Sequence, residues 1–158
     1  MEVVAAVSSV ASIASLVGQS LSGLKNLHDF VQDCRNASRT VTRFLDELTT
    51  LRQTIEEVDA LILQIKEPLE GFRCNILNSL STQLEQCAND LHRWLEAARK
   101  NTHPNRSNYK KFFESILISI RSKDIKDIYR QIACHRQGIS LSLSATGRYV
   151  VSYHPPIN

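Results

Sequence analysis

Glycine and proline are scarce in this chain, five and four among 158 residues. A protein of many short strands needs a turn signal every ~8 to 12 residues, so so little punctuation argues against a β-sandwich or barrel. Metal-site patterns are absent too. The histidines (His28, His92, His103, His135, His154) fall singly, with no HExxH or HxxxH spacing, and Cys34, Cys74, Cys87 and Cys134 form no CxxC pair. Neither GxxxxGK[ST] nor GxGxxG occurs, which removes both familiar backbone cradles for nucleotide phosphates. Cys134 and His135 are neighbours that point about 100° apart on a helix, a poor geometry for a nucleophile and its base. These absences predict a chain that is not an enzyme and holds no cofactor.

What is present is ordinary globular material. Apolar residues make up 42% and charged residues 22%, and the length suits one domain with its own core. No Lys or Arg precedes Lys25 and Glu2 stands before the apolar run, unlike a secretory leader, so an intracellular, reducing compartment is expected. All the cysteines except Cys34 fall in apolar periodic segments and read as core thiols.

Charge is segregated along the sequence. Residues 1–98 carry 8 Lys/Arg against 13 Asp/Glu, whereas residues 99–158 carry 11 against 3. Such a split favours head-to-tail self-association or attraction of the basic end to an anionic surface, or serves only as a solvated face. Lys110, Lys111, Arg121, Lys123, Lys126 and Arg130 form the candidate basic face, with Arg136 nearby. No nucleic-acid-binding signature accompanies it, and Tyr109, Phe112 and Phe113 sit at core spacing, so no nucleic-acid partner is expected.

Apolar residues recur at alternating spacings of three and four, which predicts amphipathic helices. The first, over 2–35, has a stripe at Val3, Val7, Val10, Ala14, Val17, Leu21, Leu24, His28 and Val31. After a break and a new N-cap at 36–38, the second runs over 38–67 through Val41, Phe44, Leu48, Leu51, Ile55, Val58, Ile62 and Ile65. Arg43/Glu47 and Arg52/Glu56 pair on its outer face, and Pro68 closes it. The third, over 70–100, uses Phe72, Ile76, Leu80, Leu84, Cys87, Leu91, Trp94 and Ala98, and Pro104 marks the next loop. A fourth over 107–121 and a fifth over 124–145 follow, the latter through Ile128, Ile132, His135, Ile139 and Leu143. Residues 147–158 read as an extended tail or linker. The predicted fold is all-α, an elongated, mainly antiparallel bundle of four to five helices spanning 1–146. Its expected core includes Leu48, Leu51, Ile55, Leu84, Cys87, Leu91, Trp94, Phe112, Ile128 and Ile132.

Residues 3–24 contain no charge, a length that reaches across a bilayer, yet seven Ser and Gln residues dilute their hydrophobicity. Ala14, Gly18 and Ser22 form a small-xxx-small ridge that permits close helix approach, in a soluble core or between copies in lipid. Val7, Val10, Ala14, Gly18 and Ser22 are therefore the candidate membrane and self-association residues.

Several stretches together resemble a known family: Met1–Val7 opening an uncharged Ala/Ser/Val helix, Phe44-Leu45-Asp46-Glu47-Leu48, Leu84–Leu95 with its Cys87-x6-Trp94 landmark, and Ile139–Leu143. The chain is similar to the fungal HeLo-like N-terminal domain of STAND (NOD-like receptor) proteins, itself related to HeLo domains and to the four-helix bundle of mixed lineage kinase domain-like protein. The resemblance implies a signalling module in programmed cell death or innate immunity, followed by a nucleotide-binding domain of the same polypeptide. It also implies homo-oligomerisation on activation, engagement of anionic membrane lipid through the first helix, and a cytoplasmic protein recruited to the plasma membrane. Executioner relatives carry a glycine-zipper-like first segment, matched here only loosely at Ala14, Gly18 and Ser22, with Gly23 out of register. The alternative is a passive adaptor or dimerisation scaffold that binds partner helices without entering lipid.

Overall fold

Five helices form among the described residues: α1 (Glu2–Gln32), α2 (Arg39–Gln64), α3 (Phe72–Asn101), α4 (Tyr109–Ser119) and α5 (Ile125–Tyr153). The computed structural model describes residues 2–32, 38–65, 72–101 and 109–153, with side chains over 10–32, 38–65, 76–101 and 110–146. No strand occurs among them. At about 1.5 Å per residue the 26-residue α2 is about 39 Å long, so the bundle is a rod.

The second helix follows its sequence closely. Ser38 takes the extended N-cap conformation and its hydroxyl accepts a hydrogen bond from the Val41 N–H at 3.3 Å. Val41, Phe44, Leu48, Leu51, Ile55, Val58 and Ile62 are buried, and Ile65 is half-buried. The helix ends on Ile65, whose N–H returns to the Ile62 carbonyl at 3.1 Å.

Side-chain contacts give the arrangement. The Tyr129 hydroxyl donates to the Thr40 carbonyl and Arg136 lies 3.8 Å from Glu47, so α2 and α5 run parallel. Ser79 meets Ser142 at 3.2 Å and His135 meets Asp90 at 2.8 Å, so α3 and α5 are antiparallel. Phe30 of α1 meets Phe112 of α4 with tilted rings, and Phe44 of α2 meets both Phe112 and Phe113 edge-on. The end of α1 and the start of α2 therefore share one end of the rod with α4, and α1 runs parallel to α3. Around the bundle α1 packs on α2 and α3, and α5 packs on the same two from the other side. Consecutive long helices alternate in direction throughout, α3 to α5 included, because the short α4 makes no return pass and instead covers one end.

Between α4 and α5 the chain reverses without glycine. Arg121 adopts φ 56°, the Ser122 N–H returns to the Leu117 carbonyl at 2.9 Å, and the Arg121 N–H returns to Ile118 at 3.1 Å. This is a Schellman C-terminus with arginine in the left-handed position that glycine usually fills. Asp124 then caps α5 by accepting the Lys126 N–H at 2.9 Å.

The core is one continuous cluster, and all ten expected core residues lie in it, each 1% exposed or less. Several expectations change. The buried stripe of α1 is Ile13, Val17, Ser20, Leu24, Leu27 and Val31, while Val10, Leu21 and His28 are half-buried and Ala14 is exposed. The stripe is rotated because apolar and small residues surround this helix, and the faces of α2 and α3 select which of them are covered. The side chains of Val3, Val7 and Phe72 lie outside the described residues. Residues 147–153, expected to be extended, continue α5 to Tyr153; Gly147 costs a helix only about 1 kcal/mol against alanine, and no proline intervenes before Pro155. Residues 154–158 lie outside the description.

Arg43 and Glu47 face α5 instead of each other. The Arg43 guanidinium lies 4.4 Å from the Tyr129 ring centroid, and Glu47 faces Arg136. The Arg52–Glu56 pair forms on the outer face at 2.8 Å. Cys87 is a core thiol, but Cys134 is exposed because it falls a third of a turn off the stripe of Ile128, Ile132, His135 and Ile139. Cys34 lies outside the described residues, as does the side chain of Cys74.

Candidate functional site at an uncharged ridge and a basic pole

On α1 the buried stripe leaves a solvent-facing band of Ala11, Ser12, Ala14, Ser15, Gly18, Gln19 and Ser22, all exposed and none charged. Three of the candidate membrane and self-association residues, Ala14, Gly18 and Ser22, stand in a row on it. Val10 lies half-buried beside the row, and the Val7 side chain is outside the described residues. The glycines here differ in purpose. A Cβ on Gly23 would meet the Leu91 Cβ at 3.4 Å, so this glycine sits at the contact of α1 with α3. A Cβ on Gly138 would meet the Gln83 amide, the far end of a flexible side chain that can swing aside. A Cβ on Gly18 would meet nothing within 4 Å. Nothing in the fold requires glycine at that position, although it weakens the middle of a helix.

Beside this row runs a cavity of about 570 Å³, lined from α1 by Gly18, Gln19, Ser22, Gly23 and Asn26 and from α3 by Ala88, Asn89, His92 and Leu95. Its polar lining consists of amides, a hydroxyl and one imidazole. No described helix is long and apolar enough to cross a membrane.

The second surface is electrostatic. Lys110, Lys111, Arg121, Lys123, Lys126 and Arg130 are all exposed. The fold gathers them at the α4 end and adds exposed Arg39 from the start of α2 and Arg99 and Lys100 from the last turn of α3. Arg130 pairs with Asp127 one turn earlier, and Asp124 and Asp127 are engaged in capping and turn contacts, so local acids offset only part of the charge. Arg39, Arg99 and Lys100 were not foreseen as members, because sequence distance hides a pole assembled from four segments. The basic last turn of α3 was a legible signal for two of them.

Interior groups complete the picture. His135, 9% exposed, joins α5 to Asp90 on α3, whose other oxygen accepts from Arg93 at 2.7 Å. Burial, with the nearby Asp90 carboxylate, pushes the Cys87 thiol up to about 12, so it stays a protonated, inert thiol. Among the described residues no group of His, Cys, Asp and Glu could hold a metal ion.

Helical periodicity over nearly the whole chain, with the Cys87 and Trp94 landmarks both buried in the core, coincides with a family match. Residues 4–148 match the family described as pigment biosynthesis cluster protein PigL N-terminal, PigL_N. The chain belongs to the PigL_N family. No curated protein and no solved structure matches it. PigL_N is a fungal N-terminal domain family, and its match runs from the first turns of α1 into α5, covering the ridge, the cavity and the basic pole in one unit.

Proposed function

We propose that this PigL_N domain is the non-enzymatic N-terminal signalling and effector module of a fungal NOD-like (STAND) receptor or cell-death protein. In this reading a linked nucleotide-binding domain clusters the bundles, the basic pole attracts anionic lipid, and α1 is then released toward the membrane. The observation that carries it is the exposed, uncharged row of Ala14, Gly18 and Ser22, with glycine at a position where its own fold has no need of one. The basic pole supplies the electrostatic half, since each basic residue near an anionic surface contributes about 1 kcal/mol.

The two surfaces lie toward opposite ends of the rod, the pole at the α4 end and the uncharged part of α1 away from it. A bundle standing on its pole therefore holds the first turns of α1 away from the bilayer, and insertion requires Ile13 and Val17 to leave the core. Clustering supplies the reason for that release. The adaptor reading keeps one specific support, that no described helix is long and apolar enough to cross a membrane.

Vesicle leakage by the purified domain, with and without forced oligomerisation, separates the two. Ala11→Glu with Ser12→Glu changes two exposed positions outside the cavity, so melting should hold while insertion costs about 2.5 kcal/mol or more per charge at bilayer depth. Loss of leakage with unchanged melting supports insertion of α1; undiminished leakage hands the function to the adaptor reading. Changing Lys110, Lys111, Lys123 and Lys126 to Ser should weaken binding to anionic vesicles and flatten its salt dependence.

A further inference from the structure

The cavity between α1 and α3 has a register that a second copy of the same surface matches. Resting on the self-association reading above, we infer that it is an isologous docking surface, in which the α1 ridge of each of two copies seats antiparallel in the other's α1–α3 groove.

The parallel α1–α3 pair sets the levels. Gly23 lies against Leu91, so Asn89 is level with Leu21 and Glu85 with Val17. A two-fold axis passing midway between Gly18 and Ser22 brings the two small residues of one copy over those of the other, where the open space at Gly18 admits a second backbone. The same axis carries Gln19 to the level of Leu21 in the second copy, which is the level of its Asn89. Two amides that line the cavity thus face each other, each able to donate and accept. Lys25 arrives level with Ser15 of the second copy, about 3 Å along the axis from the level of Glu85, within reach of a lysine stem. Lys25 and Glu85 are exposed, and neither belongs to an ion pair among the described residues.

Each contact occurs twice by symmetry, so one surface supplies both halves of a charge-complementary pair. Nearby, His92 lies 3.7 Å from Glu96 and His28 lies 3.8 Å from Asp29, contacts that are ionic only when the imidazole carries a proton.

Sedimentation equilibrium of the whole chain at low salt tests this. The parent should dimerise, and Gly18→Leu should be monomeric while melting no lower than the parent, because its side chain projects into open space in the single copy. Lys25→Glu and Glu85→Lys should each weaken the dimer about tenfold or more, and the double exchange should restore it. A dimer indifferent to all of these variants overturns the groove as the interface and leaves self-association standing through another surface. A parent that stays monomeric at every concentration, free or tethered to an oligomeric carrier, overturns both.

Discussion

His135 on α5 and Asp90 on α3 meet at 2.8 Å across a seam where Ser79 also meets Ser142 at 3.2 Å. Asp90 is the shared member, since Arg93 binds its second oxygen. The α3–α5 seam thus carries hydrogen bonds beside the buried Ile128, Ile132 and Ile139 of α5.

His135→Ala should cost about 1–3 kcal/mol, because it removes the inter-helix partner of a partly buried carboxylate and leaves it only the Arg93 contact. Asp90→Asn, which keeps an acceptor for the imidazole N–H, should cost less. A double-mutant cycle by denaturant unfolding reads the coupling, and a coupling near zero removes the pair from the seam.

Trp94 is fully buried, yet its indole N–H finds no acceptor among the described residues. Trp94→Ala should cost about 3–5 kcal/mol through the cavity it opens. Trp94→Phe keeps most of the apolar contact and deletes the orphaned donor, so its cost should be a fraction of that. Equal midpoints for the alanine variant and the parent would contradict the packing.

Arg121 holds φ 56° at the end of α4. Glycine occupies this region without the steric cost of a Cβ, which is about 1–2 kcal/mol, so Arg121→Gly should raise the melting temperature. Arg121→Ala, which retains the Cβ, should not, and comparing the two separates backbone strain from the lost charge.

The Cys87 thiol, raised by burial from 9.0 to about 12, makes stability fall at high pH. Below about pH 9 both states are protonated and the contribution is intact; as pH rises toward 12 the unfolded thiol ionises while the folded one resists, and stability declines. Tyr129, also raised chiefly by burial and partly lowered by Arg43, acts in the same direction. Cys87→Ala should flatten the slope of unfolding free energy above pH 9 relative to the parent, and its thiol should react with iodoacetamide only on unfolding while exposed Cys134 reacts in the native state.

What the sequence by itself determined is clearest in α2. Its apolar residues are concentrated on one face, with Leu63 left exposed, and are bounded by a Ser38 cap, so periodicity alone named a stripe in which only Ile65 falls short of full burial. The core of α3, from Leu80 to Ala98, was legible for the same reason. In α1 the same reasoning misplaced Ala14 and passed over Ile13 and Leu27, because a helix with Val, Ala, Leu and Ser on every side offers several nearly equivalent stripes. There only the neighbouring faces of α2 and α3 decide which is buried, and with it which small residues, Gly18 among them, are left open to a partner. The basic pole had the same origin. Composition showed that positive charge collects late in the chain, but Arg39, Arg99 and Lys100 join Lys110 through Arg130 only because a short α4 brings four helix ends to one end of the rod, a relation of distances that no local pattern encodes.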